Sequence, residues 1–326
     1  MIAKQAASRS QGHQRPLKVG LILPSWTDGM DGKTPRWADI LTLARQAEDA
    51  GFDSLWVTDD LILRMENGEM LGMWECWSLL AGLAAETSRV QLGSFVSCNN
   101  FRNPALLAKI ATTVDEISGG RLILGLGTGA MEEEHRAFGF PWEQRFGRFE
   151  EALRIIHSLL KTGHAHFIGK HYQVCDCELS PGGPQKEGPP ILIGTSENPG
   201  PRLLRLVAQY ADIWNGYWSS GQCIPERIDA LHVKVDDACH QFQRPPTTLE
   251  RTIEVKVTFA GRDVNAWPQE RAQTGKPEEL AALFRAFAQQ GISHLQVGLA
   301  PNTAVGIEAL AQTLALLDKD DCKPIL

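Results

Sequence analysis

The sequence predicts a closed (β/α)8 barrel, and three observations carry that prediction. From residue 17 onward, strand-sized apolar runs alternate with amphipathic, helix-sized segments. Eight such pairs fit within 326 residues, the size of one barrel of this kind. Small and polar residues cluster where the apolar runs end, which is where barrel strands open into loops. Strands that alternate with helices need a parallel sheet with helices packed outside it.

Strand one is "LKVGLIL" (17–23), stopped by Pro24. Its helix carries Trp37, Ile40, Leu41, Ala44 and Ala47 on one face, at spacings of three and four. "DSLWVT" (53–58) is strand two and "MWECWSLLAGLAAET" (73–87) its helix. "VQLGSFV" (90–96) precedes a third helix that Pro104 opens and "SGG" closes. "RLILGLG" (121–127) leads to a long helix with Phe146, Phe149, Leu153, Ile156 and Leu160 in one stripe. An inserted stretch follows, "HAHFIGKHYQVCDCEL" (164–179), which reads as a hairpin turning at Gly169-Lys170, then the link "SPGGPQKEGPP". The last four strands are "ILIG" (191–194), "ADIWN" (211–215), "RTIEVKVTF" (251–259) and "SHLQVGL" (293–299). Their helices are expected at 201–209, 225–241, 277–289 and 305–317. Residues 1–16 are polar and read as a disordered tail, leaving 17–326 as a single domain.

A net charge of −7, spread in mixed-sign patterns without a basic stripe, argues against nucleic acid and acidic lipid as partners. No apolar run approaches the ~20 residues of a membrane-spanning helix, so no membrane partner is expected. The N-terminal stretch lacks the apolar core of a signal peptide. Seven cysteines, an odd number without secreted-framework spacing, point to a reducing cytoplasm.

Gly125-x-Gly127-x-x-Ala130 formally satisfies a dinucleotide fingerprint. That fingerprint belongs to the first βα turn of its unit, with an acidic residue ~20 positions on at the next strand end. Here three βα units precede it, and ~20 positions on lies mid-helix, at Glu150 and Glu151. "GLGTGA" is therefore read as the C-terminal mouth of barrel strand four. On the hairpin, His164-x-His166 and Cys175-x-Cys177 would each share a strand face and lie side by side across the turn. Zinc accepts such ligands, yet it usually spaces its cysteines by two or more residues, and no metal is assigned.

The run from "VQLGSFV" through "NPALLAK", "ISGGRLILGLGTG" and "RFGRFEEALRII", with "YADIWN" and "GISHLQV" downstream, resembles the bacterial luciferase-like monooxygenase superfamily. That resemblance implies a barrel with an inserted segment, often a homodimer, holding coenzyme F420 or FMN at the C-terminal mouth. "PRLLRLVAQYADIWN" and "GISHLQV" look more like the F420-using branch. It also implies a non-proline cis peptide near Phe95–Val96, backing the flavin ring.

Barrel chemistry sits where strands end in loops. Asp59, Val96, Ser97, Thr128 and Gly129 are placed to hold the ring system. Gly194, Thr195 and Ser196, leading through "ENPGP" into a helix, suit its phosphate. Asp60, Cys98 and Asn100 are the groups placed to take part in chemistry. Asp60 stands where related deazaflavin enzymes commonly show a His, and a neighbouring carboxylate can raise its pKa into a useful range. Ala130 replaces the acid carried there by sugar-phosphate-oxidising relatives, which makes them poor guides to the substrate. Glu134 is read as tying the insertion to Arg145 or Arg148. Trp26, Trp214 and Trp218 either wall a pocket or pack in the core. The expected activity is F420-dependent hydride transfer to or from a small organic substrate. The alternatives are an FMN monooxygenase using reduced flavin and O2, and a flavin-binding barrel without turnover.

Overall fold

A computed structural model describes residues 15–64, 68–219, 221–259 and 272–319. Eight parallel strands form its centre: β1 (Lys18–Ile22), β2 (Ser54–Val57), β3 (Gln91–Ser94), β4 (Leu122–Gly127), β5 (Ile191–Ser196), β6 (Ile213–Tyr217), β7 (Glu250–Thr258) and β8 (His294–Ala300). Each pairs with the next, and β8 returns to β1 with His294 opposite Lys18. The ring is closed, as the sequence predicts.

Eight helices cover it: α1 (Trp37–Asp49), α2 (Cys76–Glu86), α3 (Pro104–Ser118), α4 (Arg145–Thr162), α5 (Pro201–Tyr210), α6 (Ile228–Gln241), α7 (Pro277–Gln289) and α8 (Ala304–Leu317). Sequence reading assigns no element to several short additions, three of which border the mouth. These are the hairpin Ile62–Arg64 with Met70–Gly72, the turn of 3-10 helix Asn99–Phe101, and the helix Glu132–Phe138. Among the described residues no helix is long and apolar enough to cross a membrane.

Side chains alternate across each strand, so the ring has two apolar regions. Outward residues such as Leu55, Leu124, Ile193, Val255 and Val297 pack against the helices in one large cluster. Inward residues Ile22, Trp56, Ile123, Leu192 and Ile213 form a separate plug in the lumen. Trp56 is fully buried there; its indole N–H donates to Ser54 Oγ at 2.7 Å, and Ser54 Oγ meets His294 Nε2 at 2.7 Å. Of the two readings given for Trp214 and Trp218, core packing is the one found: both are buried in the outer layer.

Residues 1–14 of the expected tail lie outside the described residues. Arg15, assigned to that tail, ion-pairs with Asp53 just before β2 and with Asp318 just after α8.

The insertion between β4 and β5 contains the expected antiparallel hairpin, His164–Ile168 against Gln173–Glu178. Its His and Cys pairs do not come together. Ala165 stands opposite Cys177, and a bulge between Ala165 and Phe167 shifts the register. Asp176 takes the place beside the histidines, accepting from His166 Nδ1 at 2.9 Å. One extra residue in the bulge is enough to break the period-two argument.

Candidate active site

The mouth of the barrel is organised by the end of β2. Asp59 is 3% exposed, and Arg102 donates to both its oxygens, at 2.6 and 2.9 Å. The Cys98 backbone N–H donates to Asp59 Oδ2 at 3.2 Å. Arg102 also reaches Glu75, the N-cap of α2. Asp59, expected to touch the cofactor, is thus the tie that fastens β2 to the loop after β3. Burial lifts its carboxyl to about 6 against the pull of Arg102.

Asp60 makes none of these bonds. Burial, and then the charge of Asp59, raise it to about 6. Facing it from the helix after β4 is Glu134, 1% exposed, raised to about 7 by burial and by Asp60. Glu134 accepts from the Leu61 backbone N–H at 3.1 Å. The expected partners of Glu134 are engaged elsewhere: Arg145 stacks on Trp142, and Arg148 hydrogen-bonds Tyr172. The backbone amide of the residue directly after Asp60 satisfies Glu134 instead. Two acidic groups, both raised, therefore interact at the rim, suited to holding a proton near neutrality.

The loop after β3 holds the other expected groups. The Phe95–Val96 peptide is cis, at the position the resemblance implies. Both side chains pack on the lumen plug. This arrangement explains the glycines of "GLGTGA". A Cβ on Gly125 would lie 2.0 Å from the Ser94 carbonyl oxygen, so only glycine lets β3 approach β4 so closely. Gly129 has φ +79°, and a Cβ there would meet His135 and Cys98 Sγ below 3 Å. The motif serves packing at the mouth rather than a dinucleotide.

Cys98 is buried, and its thiol lies 3.7 Å from His135 Nε2. His135 Nδ1 meets the Met131 carbonyl at 2.8 Å, which makes Nδ1 the protonated nitrogen and Nε2 the acceptor for the thiol. Burial pushes the thiol well above its usual range, so Cys98 keeps its proton. Asn100 is also buried, donating to the Pro141 carbonyl at 3.2 Å and accepting from Asn99. Ser97 accepts from Trp77 Nε1 at 3.0 Å, and Thr195 from Trp214 Nε1 at 2.9 Å, so both hydroxyls face the helix layer.

Val96, Thr128, Gly129, Gly194 and Ser196 remain at the mouth. The methyls of Val96 lie 3.6–3.7 Å from where a Gly194 Cβ would be. After Ser196, α5 begins at Gly200 with no side-chain cap, and Arg202 sits in its first turn. Across the mouth, Asn302 Oδ1 is buried without a partner while its amide donates to the Ile22 carbonyl. An apolar floor, an orphaned acceptor on one side and an uncapped helix start on the other fit a planar, phosphate-bearing ring compound.

Four contributors went unread in the sequence. Arg102 follows the irregular "NNF", where nothing marks it as the partner of Asp59. His135 lies in a helix too short to show periodicity. On β7, Glu254 and Lys256 face the lumen in line with Thr252, 3.8 Å apart. Their signal was present: charged residues at every second place of a strand that must be central.

Residues 17–275 match the family described as luciferase-like monooxygenase. The chain belongs to that family. Two relatives show its breadth. An F420-dependent glucose-6-phosphate dehydrogenase of Amycolatopsis mediterranei is 30% identical over 228 residues, 68% of this chain. A pyrimidine monooxygenase, RutA, of Stutzerimonas stutzeri is 30% identical over 247 residues, 71% of this chain. These matches span 65% and 66% of the relatives' own lengths, just under two thirds. Among solved structures, an F420-dependent secondary alcohol dehydrogenase in complex with an F420-acetone adduct superposes with TM-score 0.77 at 18% identity, covering 92% of this chain and 99% of that one. The two sequence relatives thus differ in the reaction and the substrate that their names record.

Proposed function

We propose that this chain is an F420-dependent oxidoreductase, acting in the cytoplasm as a homodimer on a small organic substrate, with no nucleic acid or membrane as partner. The observation that carries the reading is the mouth itself. It is an apolar floor of Phe95, Val96 and glycines, with α5 opening uncapped at its edge and the carboxyls of Asp60 and Glu134 raised into a range suited to handling protons.

The deazaflavin, when bound, supplies a ring carbon that accepts or gives a hydride. The chain's own residues do the rest. Ser196, Arg202 and the first turn of α5 hold the phosphate; Val96, Thr128, Gly129 and Gly194 support the ring. Asp60 takes a proton from a substrate hydroxyl during oxidation, or returns it to a carbonyl oxygen during reduction, with burial and the charge of Asp59 keeping its pKa near neutrality. Asp59, Cys98 and Asn100 act by positioning, since each is spent on internal bonds. Exposed Ala130 leaves the strand-four mouth without the acid of sugar-phosphate-oxidising relatives, so a neutral alcohol or carbonyl compound is the better substrate class. Leu106 and Ile117, exposed apolar residues on α3, suit the dimer contact.

Likeness to a pyrimidine monooxygenase, at the same 30% identity as the F420-dependent relative, supports a monooxygenase using reduced FMN and O2 as the second reading. Titrating the purified protein with F420 and with FMN, while recording absorbance and fluorescence, separates the two. Preferential F420 binding, followed by loss or gain of its absorbance with alcohols or carbonyl compounds, supports the proposal. Preference for FMN replaces it with the second reading. Tight binding without turnover over a broad panel supports a non-catalytic flavin carrier.

A further inference from the structure

The rim carries a second feature that the hydride chemistry does not use. A groove of about 600 Å³ lies between the starts of α4 and α5 and the turn of the inserted hairpin. Arg145, Arg154, Lys170, His171 and Arg202 line it. Helices that follow parallel barrel strands begin at the mouth end, which puts this groove on the same side as the cofactor floor. Arg202 belongs both to the groove and to the first turn of α5.

The charge of the groove runs against that of the chain. The whole sequence carries −7, yet here four permanent cations, Arg145, Arg154, Lys170 and Arg202, face two carboxylates, Glu150 and Glu151. Both carboxylates are already satisfied. Glu150 is met by Arg154, Arg202 and Arg205, at 3.0, 2.8 and 2.9 Å. Glu151 accepts the backbone N–H groups of Lys170, His171 and Tyr172, at 2.8, 2.8 and 3.0 Å. Those three bonds also hold the hairpin turn against α4 and so keep Lys170 at the groove. A cationic trough that begins at the helix start proposed to hold the phosphate would suit an anion longer than a phosphate.

Coenzyme F420 continues past its phosphate into an oligoglutamyl tail with a carboxylate on every unit, whereas FMN ends at the phosphate. We infer that this groove binds the oligoglutamyl tail of F420, so that tail length sets affinity and the groove selects F420 over FMN. The inference rests on the F420 reading above. Polyanion binding to exposed cations of this kind weakens with salt.

The test compares long-tailed F420 with its tail-less form by fluorescence titration, at low and high ionic strength. The proteins are the wild type and the charge reversals Lys170→Glu and Arg154→Glu, both at positions exposed enough to fold normally. The wild type should bind the long-tailed form about tenfold tighter at low salt, from a few surface ion pairs acting together. That advantage should vanish at high salt and in each reversal, with affinity for the tail-less form unchanged. Equal affinity of the wild type for the two forms overturns the groove while leaving the F420 reading intact. So does an equal weakening of both forms by the reversals. Binding of neither form overturns the F420 reading and the groove with it.

Discussion

Glu134 and Asp60 put a pH dependence into the fold that belongs to single side chains. Glu134 keeps its proton up to about pH 7, well above the ordinary glutamate value of 4.5. Between those values the folded chain binds a proton that the unfolded chain has released. Stability is therefore full below about pH 4.5 and falls as pH rises through about 7. Glu134→Gln still accepts the Leu61 N–H but cannot ionise. Chemical unfolding should show the variant more stable than wild type at pH 8, by on the order of 1–3 kcal/mol, and nearly equal at pH 5. A variant that loses stability at pH 8 would show that ionised Glu134 is well accommodated. The sequence set Glu134 apart from Glu132 and Glu133 only through the family resemblance, and not its partner, because the Leu61 N–H that it accepts lies far off in sequence. The adjacent Asp59-Asp60 pair was legible as a source of raised pKa values. What sequence could not show is that Arg102 claims the first and leaves the second.

At the scale of elements, alternation along a strand decides which hydroxyls reach the mouth. Ser97 and Thr195 read as ligands when a strand end is taken as a list of polar residues. Their parity turns them outward, to Trp77 and Trp214. Ser97→Ala and Thr195→Val should each cost about 1–3 kcal/mol by leaving an indole N–H unsatisfied. Cofactor affinity should stay within about twofold of wild type, because neither hydroxyl faces the ring. A large loss of affinity with unchanged unfolding midpoint would return these hydroxyls to the binding site. The same parity made β7 readable in retrospect: Ile253, Val255 and Val257 are buried outward, so Glu254 and Lys256 must face the lumen. The hairpin shows the opposite lesson. Its existence followed from two extended runs around Gly169-Lys170, but its pairing depended on a bulge that no residue pattern announces.

At the scale of the molecule, order and spacing of the eight βα units were enough to predict the ring, since each unit has only one right-handed way to add to a parallel sheet. The division of the interior into an outer layer and a lumen plug was not predicted. It follows from closure, which forces inward side chains into a space of fixed width. Trp56 fills much of that space, so Trp56→Ala should lower unfolding free energy by about 3–5 kcal/mol in denaturant titration. A loss below about 1 kcal/mol would mean that the plug collapses and adds little.

Closure also has a consequence for synthesis. The seam joins Lys18 to His294, so one edge of β1 and one edge of the newest strand stay unpaired while nearly the whole chain is being made. At ~5–20 residues per second the ribosome leaves those two raw edges open for roughly 15–60 s. A chain released before β8 emerges never seals. Premature termination upstream of His294 should then yield material that associates edge to edge instead of a smaller working barrel.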